Sequence, residues 1–184
     1  ALDFVNTVAY RADPAKKKDH LQCADDVCRW AIQAQLPDRA AIISSPRVGT
    51  AALRRIRAVR EQLFAVFRSV AIDDRIPAET LSGIGSALHD CCARRCLSTV
   101  GAEVRWTWRP GARCTDYLLY PVLTAANELL TSTSLGLVHQ CEDAGCGWLF
   151  LDRSNARKRR WCSMADCGNR NKARKYYRRE AGLI

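Results

Sequence analysis

Two cysteine pairs near the C-terminal end constrain this chain more than anything else in it: Cys141-x4-Cys146 and Cys162-x4-Cys167, with fifteen residues between them. Zinc favours four deprotonated soft ligands at the corners of a tetrahedron, and two closely spaced pairs can each wrap one edge of it. Gly145 and Gly147 flank Cys146 and Gly168 follows Cys167, which suits a backbone turning tightly around a metal. Two disulfides or four buried free thiols are the alternatives. Size argues against both: a segment of some forty residues buries too little surface to fold alone, and zinc can contribute on the order of 10 kcal/mol to such a module. His139 is a further ligand type nearby, but four cysteines already complete the shell. A closed shell leaves no open position for water, so one structural Zn2+ is expected and no catalytic one.

The chain holds ten cysteines in 184 residues, yet no charged-then-apolar leader precedes them. The opening Ala1-Leu2-Asp3-Phe4-Val5 is already patterned as structure, and native residues before Ala1 remain an open question at this stage. A disulfide framework is therefore not expected, and the location read from the sequence is cytoplasmic and nucleoid-associated. The other six cysteines read as small buried hydrophobes. Cys23 and Cys28 repeat the pair spacing, but on a helix a five-residue step points their side chains apart. No apolar run approaches the roughly 20 residues of a membrane span.

Charge follows the cysteines. Of the net +10, +6 lies from Cys141 onward, where eleven Lys/Arg face five Asp/Glu. Arg153, Arg157, Lys158, Arg159 and Arg160 precede Trp161-Cys162, and Arg170, Lys172, Arg174, Lys175, Arg178 and Arg179 follow Cys167. Ser163 reads as a cap, and Asn169 to Glu180 as a basic helix. On it Arg170, Arg174 and Arg178 share an outward face while Tyr177 packs on the module. Such a helix suits a groove, with Lys and Arg on phosphates and Asn169, Arg170 and Asn171 as residue types that read base edges. Trp161, beside a ligand, is assigned to packing under the metal. A solvated basic face docked on an acidic partner is the rival reading.

The preceding part reads as mostly helical. Leu2, Val5 and Val8 give a short opening helix, Pro14 to Lys18 an exposed basic loop, and Asp19 to about Gln35 a second helix ended by Pro37. Ser45 is read as N-cap and Pro46 as first residue of a third helix carrying Leu53, Ile56, Val59, Leu63, Val66, Phe67 and Val70 on one stripe. Pro77 starts a fourth, with Leu81, Ile84, Leu88 and Cys91 or Cys92 inward. Val104 to Trp108 then alternates, and with the Pro110-Gly111 turn it reads as a β-hairpin. Trp106 and Trp108 share its face, as a cap on the helices or part of a dimer surface; packing is the preferred reading. A fifth helix runs from about Thr115 to Leu130 across Pro121, and Thr131-Ser132-Thr133-Ser134 marks a boundary between residues 1–134 and 135–184. The expected fold class is mainly α (α+β): a helical N-terminal domain with a small β-hairpin, then a small four-cysteine zinc finger ending in a basic helix.

The run Cys162-Ser163-Met164-Ala165-Asp166-Cys167-Gly168-Asn169-Arg170-Asn171-Lys172, with Cys146-Gly147-Trp148-Leu149-Phe150-Leu151-Asp152-Arg153-Ser154 and Arg159-Arg160-Trp161 before it, resembles the signature of the CGNR zinc finger. The opening Leu2-Asp3-Phe4-Val5-Asn6-Thr7 is similar to the start of the ABATE domain, which commonly precedes that finger in bacterial proteins. The resemblance implies a stress-response transcription regulator, zinc at Cys141, Cys146, Cys162 and Cys167, and DNA as partner.

On this reading the first domain senses a small-molecule effector or stress signal, or dimerises. Asp3, Asn6, Thr7 and Arg11 are the candidate ligand pocket, because polar residues interrupt an apolar pattern there; a helix cap or loop anchor explains Asn6 and Thr7 as well. One short finger reads few bases, so a homodimer is expected. RNA binding and a protein-interaction module are the alternatives to DNA. No enzyme is expected: His20, His89 and His139 lie in separate segments, and no Gly-rich phosphate loop is present.

Overall fold

The longest amphipathic stripe becomes α4 (Thr50–Ala71), the helix around which the body is assembled. A computed structural model describes residues 1–44 and 48–181. Ile56, Val59, Leu63, Val66 and Phe67 of the expected stripe are all buried. Against α4 pack α1 (Leu2–Val5), α5 (Ala78–Cys92) and α6 (Cys114–Leu130). Pro77 stands at the N-cap of α5, whose buried residues are Ile84 and Cys91, while Cys92 is exposed. Two further helices, α2 (Ala24–Gln33) and α3 (Arg39–Ser44), close the body beside α6. Periodicity does not reveal α3, a six-residue helix with one buried residue, Ile42. The cap assigned to Ser45 and Pro46 lies outside the described residues; α4 begins at Thr50 with Gly49 as its N-cap. The described chain is mainly helical, with three small antiparallel strand pairs. None of its helices is long and apolar enough to cross a membrane.

Arg60 departs from the pattern. Periodicity places it among the solvent-facing charges of α4, yet it is 3% exposed. Its guanidinium donates to both carboxylate oxygens of Asp19 at 2.7 Å, and also to Glu61 and to the buried Thr7 hydroxyl. Asp19 sits on β2 (Lys18–Asp19), which pairs with β1 (Val8–Ala9). A buried guanidinium is tolerable only when paired in this manner.

The hairpin is real, but its turn differs from the expected one. β3 (Arg95–Val100) pairs with β4 (Glu103–Trp108) around Gly101-Ala102, with Gly101 at φ +62°, so the partner strand precedes the Trp motif and Pro110-Gly111 falls after the hairpin. The two tryptophans meet different fates. Trp108 donates its indole N–H to Asp38 at 3.0 Å and packs edge-on against Tyr117 and Tyr120, capping the helices. Trp106, one pleat further out, is 61% exposed because the hairpin extends past the body.

The C-terminal module is built onto the same core. β5 (Val138–Gln140) pairs with β6 (Leu149–Leu151), and the strand alternation divides their side chains. Val138 and Leu149 enter the main core beside α1 and α4, whereas Phe150 turns to the cysteine cluster. A strap from residue 6 to residue 11 fastens the junction. Asn6 pairs with Leu149 as a strand neighbour would: its amide N–H donates to the Leu149 carbonyl at 2.8 Å, and its oxygen accepts the Leu149 N–H at 3.0 Å. Trp148 donates its indole N–H to the Val8 carbonyl, and the Arg11 N–H reaches the Cys146 carbonyl at 3.0 Å.

Two outcomes follow. Asn6→Ala should lower stability in urea unfolding by about 2 kcal/mol, and Asn6→Asp should not restore it, since a carboxylate would face the Leu149 carbonyl. Burial alone would raise the Asp19 carboxyl, but its bonds from Arg60 and the Leu21 amide, with Arg57 nearby, hold it below the ordinary value. Its contribution is therefore complete above the unfolded carboxylate value near ~4 and is lost as pH falls through the lower folded value. Asp19→Asn should cost about 3 kcal/mol at pH 7, and less as the medium is made more acid.

Candidate metal centre and nucleic-acid interface

Three of the four cysteines are delivered by different local devices. Cys141 follows directly on β5, and its N–H binds the Trp148 carbonyl at 2.8 Å. Cys146 closes a turn begun by Asp143, whose carbonyl accepts the Cys146 N–H. Gly147 follows at φ +71°, where a Cβ would also stand 3.0 Å from the Arg11 Cβ. Of the three glycines singled out from the sequence, this is the one with a left-handed backbone. Cys167 sits in a π-helical turn (Met164–Gly168) capped by Ser163, whose hydroxyl accepts the Asp166 N–H at 3.1 Å.

The four sulfurs lie within 4.8 Å of one another, with Cys146–Cys162 and Cys162–Cys167 both at 3.7 Å. That separation is too long for a disulfide, which needs about 2.0 Å. It matches the edge of a tetrahedron with zinc–sulfur bonds of about 2.3 Å. Donor chemistry and spacing thus fit one structural zinc ion bound by Cys141, Cys146, Cys162 and Cys167. Trp148 and Trp161 pack against this cluster, as expected for Trp161. Among the described residues it is the one such group of metal-binding side chains.

Without a cation the thiols compete for charge. Contacts from Cys146 and Cys162 lower the Cys141 thiol, and the thiolate so favoured raises Cys146 and Cys162 beside it. A divalent ion removes the conflict, and its binding displaces protons.

From the π-helical turn runs α7 (Asn169–Glu180), and its orientation is set by a residue that sequence reasoning passes over. Asp143 is 2% exposed inside a strongly basic module. One carboxylate oxygen accepts the Gly145 N–H; the other accepts Arg170 Nε at 2.9 Å, Asn171 Nδ2 at 3.0 Å and Arg174 at 3.4 Å. Burial would raise this carboxyl, but Arg170, the Gly145 amide and Arg174 hold it below the usual range. The other nitrogens of Arg170 reach Cys167 Sγ at 3.1 Å and the Tyr10 hydroxyl at 3.3 Å. Asn171 donates also to the Cys167 carbonyl.

The expected geometry of the helix is therefore inverted. Arg170 and Arg174 turn inward to Asp143, because a buried carboxylate must be paired, while Tyr177 stands 70% exposed instead of packing on the finger. Arg159 and Arg160 are also engaged. Arg159 binds the Trp161 and Cys162 carbonyls and covers the Phe150 ring; Arg160 pairs with Glu142. Asp152, 0% exposed, accepts Ser154 N–H and Oγ–H and the Arg159 N–H, which holds its carboxyl near 2 and fixes the loop bearing Arg153, Arg157 and Lys158. Those three side chains are exposed, as are Asn169, Lys172, Lys175, Arg178 and Arg179. Asp143, Asp152 and Tyr10 are the residues missed. The available signal was an acid placed next to a turn on either side of β6, with the basic residues of the module all following from Arg153 onward.

The four proposed pocket residues divide. Asp3, Asn6 and Thr7 line a groove of about 840 Å³ with Lys18, His20, Trp30 and Trp148. Arg11 lies outside it, bound to Glu61 and to the Val5 carbonyl over the Phe64 ring. Asn6 and Thr7 are also the anchors described above.

A helical body carrying a four-cysteine metal module with a cationic terminal helix defines a zinc-finger protein. Residues 138–180 match the model of the "CGNR zinc finger", and residues 1–133 match that of the ABATE domain, described as a "Putative stress-induced transcription regulator". The chain belongs to the ABATE family. These are regulator and zinc-finger families, not enzyme families. Comparison with curated proteins gives no match.

Metal analysis of the purified chain should return one zinc per molecule, and Cys162→Ser should lose most of it. Asp143→Asn should keep the metal yet lower stability by about 2 kcal/mol, since Arg170 loses its ionic partner.

Proposed function

We propose that the chain is a zinc-dependent, DNA-binding transcription regulator in which residues 135–184 bind DNA and residues 1–134 receive a signal, dimerise, or both. The observation that carries this reading is α7. From Lys172 onward each of its described residues is exposed, and Lys172, Lys175, Arg178 and Arg179 carry no ion pair among the described residues. A cationic helix standing clear of the body, fixed at its base by a metal shell, has the dimensions of a major-groove element: the groove is about 12 Å wide and admits one helix. Lys158 and Arg157 on the adjoining loop extend the charge. The division into two regions is one of roles, since β5 and β6 share the core of the body. The groove beside Asp3, Asn6, Thr7 and Trp148 is the proposed effector site; a small molecule there would touch the same Asn6 and Trp148 that hold the finger. A homodimer supplies two fingers, and a cytoplasmic, nucleoid-associated location accords with this role.

Fluorescence anisotropy on random duplex DNA, random RNA and duplexes enriched by selection tests the proposal. The zinc-loaded chain should bind duplex DNA with a strong salt dependence, and Lys172→Ala/Lys175→Ala should flatten the log–log salt slope by about two phosphate contacts. Binding should vanish on chelation of zinc. A preference for structured RNA over every duplex would reject the DNA assignment.

A further inference from the structure

Asp143 sorts the side chains of α7 into two sets, and the second set makes a surface of its own. Arg170, Asn171 and Arg174 converge on the buried carboxylate, which fixes the inward side of the helix. At 3.6 residues per turn the opposite side is Asn169, Lys172, Tyr176 and Arg179, in steps of three, four and three. All four are exposed, Tyr176 by 60%. The Asn169 amide makes no side-chain hydrogen bond among the described residues, unlike its neighbour Asn171.

We infer that this ridge is the face α7 turns to the floor of the DNA major groove, with Asn169 and Tyr176 as the specificity-determining residues and Lys172 and Arg179 on flanking phosphates. The inference rests on the DNA reading above and assigns its residues. The ridge alternates chemistries suited to the two tasks. An asparagine amide pairs two-pronged with adenine N6 and N7, and an aromatic edge packs against the thymine methyl group, while Lys and Arg answer the phosphate rails. Tyr176 keeps its ring braced by Tyr177, 5.8 Å away and nearly perpendicular. The asparagine and tyrosine stand seven residues apart, about 10 Å along the axis, which is close to three base-pair steps. Arg170, the arginine of the Cys-Gly-Asn-Arg run, is thereby removed from base recognition: its three nitrogens are engaged by Asp143, Cys167 and Tyr10. It is a positioning residue.

The test is selection from a randomised duplex library with the full zinc-loaded chain and its variants, each checked for zinc content and helicity. Wild type should enrich a motif. Asn169→Ala and Tyr176→Ala should each erase preference at one position, by about tenfold, with the two positions about three base pairs apart. Lys172→Ala and Arg179→Ala should keep the motif while each lowers the salt slope by about one. Arg170→Lys should weaken binding to all sequences alike and leave the motif unchanged. A wild-type motif that survives both Asn169→Ala and Tyr176→Ala overturns the ridge while the DNA reading stands. Failure of wild type to enrich any duplex rejects the DNA reading, and the ridge with it.

Discussion

Four thiolates around one divalent cation carry a net charge of −2, and inside a protein that charge has to be answered by nearby donors. Arg170 supplies part of the answer at Cys167, and in doing so it becomes the hinge pin of the module. Its other nitrogens draw in a buried acid from the first cysteine loop and a tyrosine from the N-terminal strap. The metal, the direction of the terminal helix and the attachment of the finger therefore depend on one guanidinium. A lysine could carry the charge but not the fork that satisfies three partners at fixed angles.

The strap is the second element on which the module relies. Its polar residues stand where the chain would otherwise be apolar because they replace strand pairing between two segments that are remote in sequence. Tyr10, whose hydroxyl meets Arg170, is held at φ +52°, a left-handed conformation that a bulky residue adopts at a cost of about 1 kcal/mol. Gly147 lets the strap come close. The body and the finger are thus joined by directional bonds as well as by the apolar contacts of Val138 and Leu149.

Much of this was legible in the residues. The ligand set followed from spacing, glycine placement and the small size of the segment; the helices of the body, α3 apart, followed from period. The misread arginines share one cause. Arg60, Arg170 and Arg174 read as surface charge because periodicity registers hydrophobicity and cannot see a carboxylate arriving from a distant segment. Asp19 lies 41 residues from Arg60, and Asp143 lies 27 from Arg170. The misplaced hairpin turn has a different origin: Pro110-Gly111 is the louder turn signal, but it is Gly101 that sits between the paired strands with the φ their two-residue connection requires.

The bonds between Asn6 and Leu149 span 143 positions of the chain. On the ribosome, the strap emerges long before the strands it must grip, so its polar groups stay unpaired until those strands follow. Only once β6 has been made can the finger close the seam with the strap. A chain ending between α6 and β6 would keep its helices yet leave that seam open, a natural substrate for quality-control proteases.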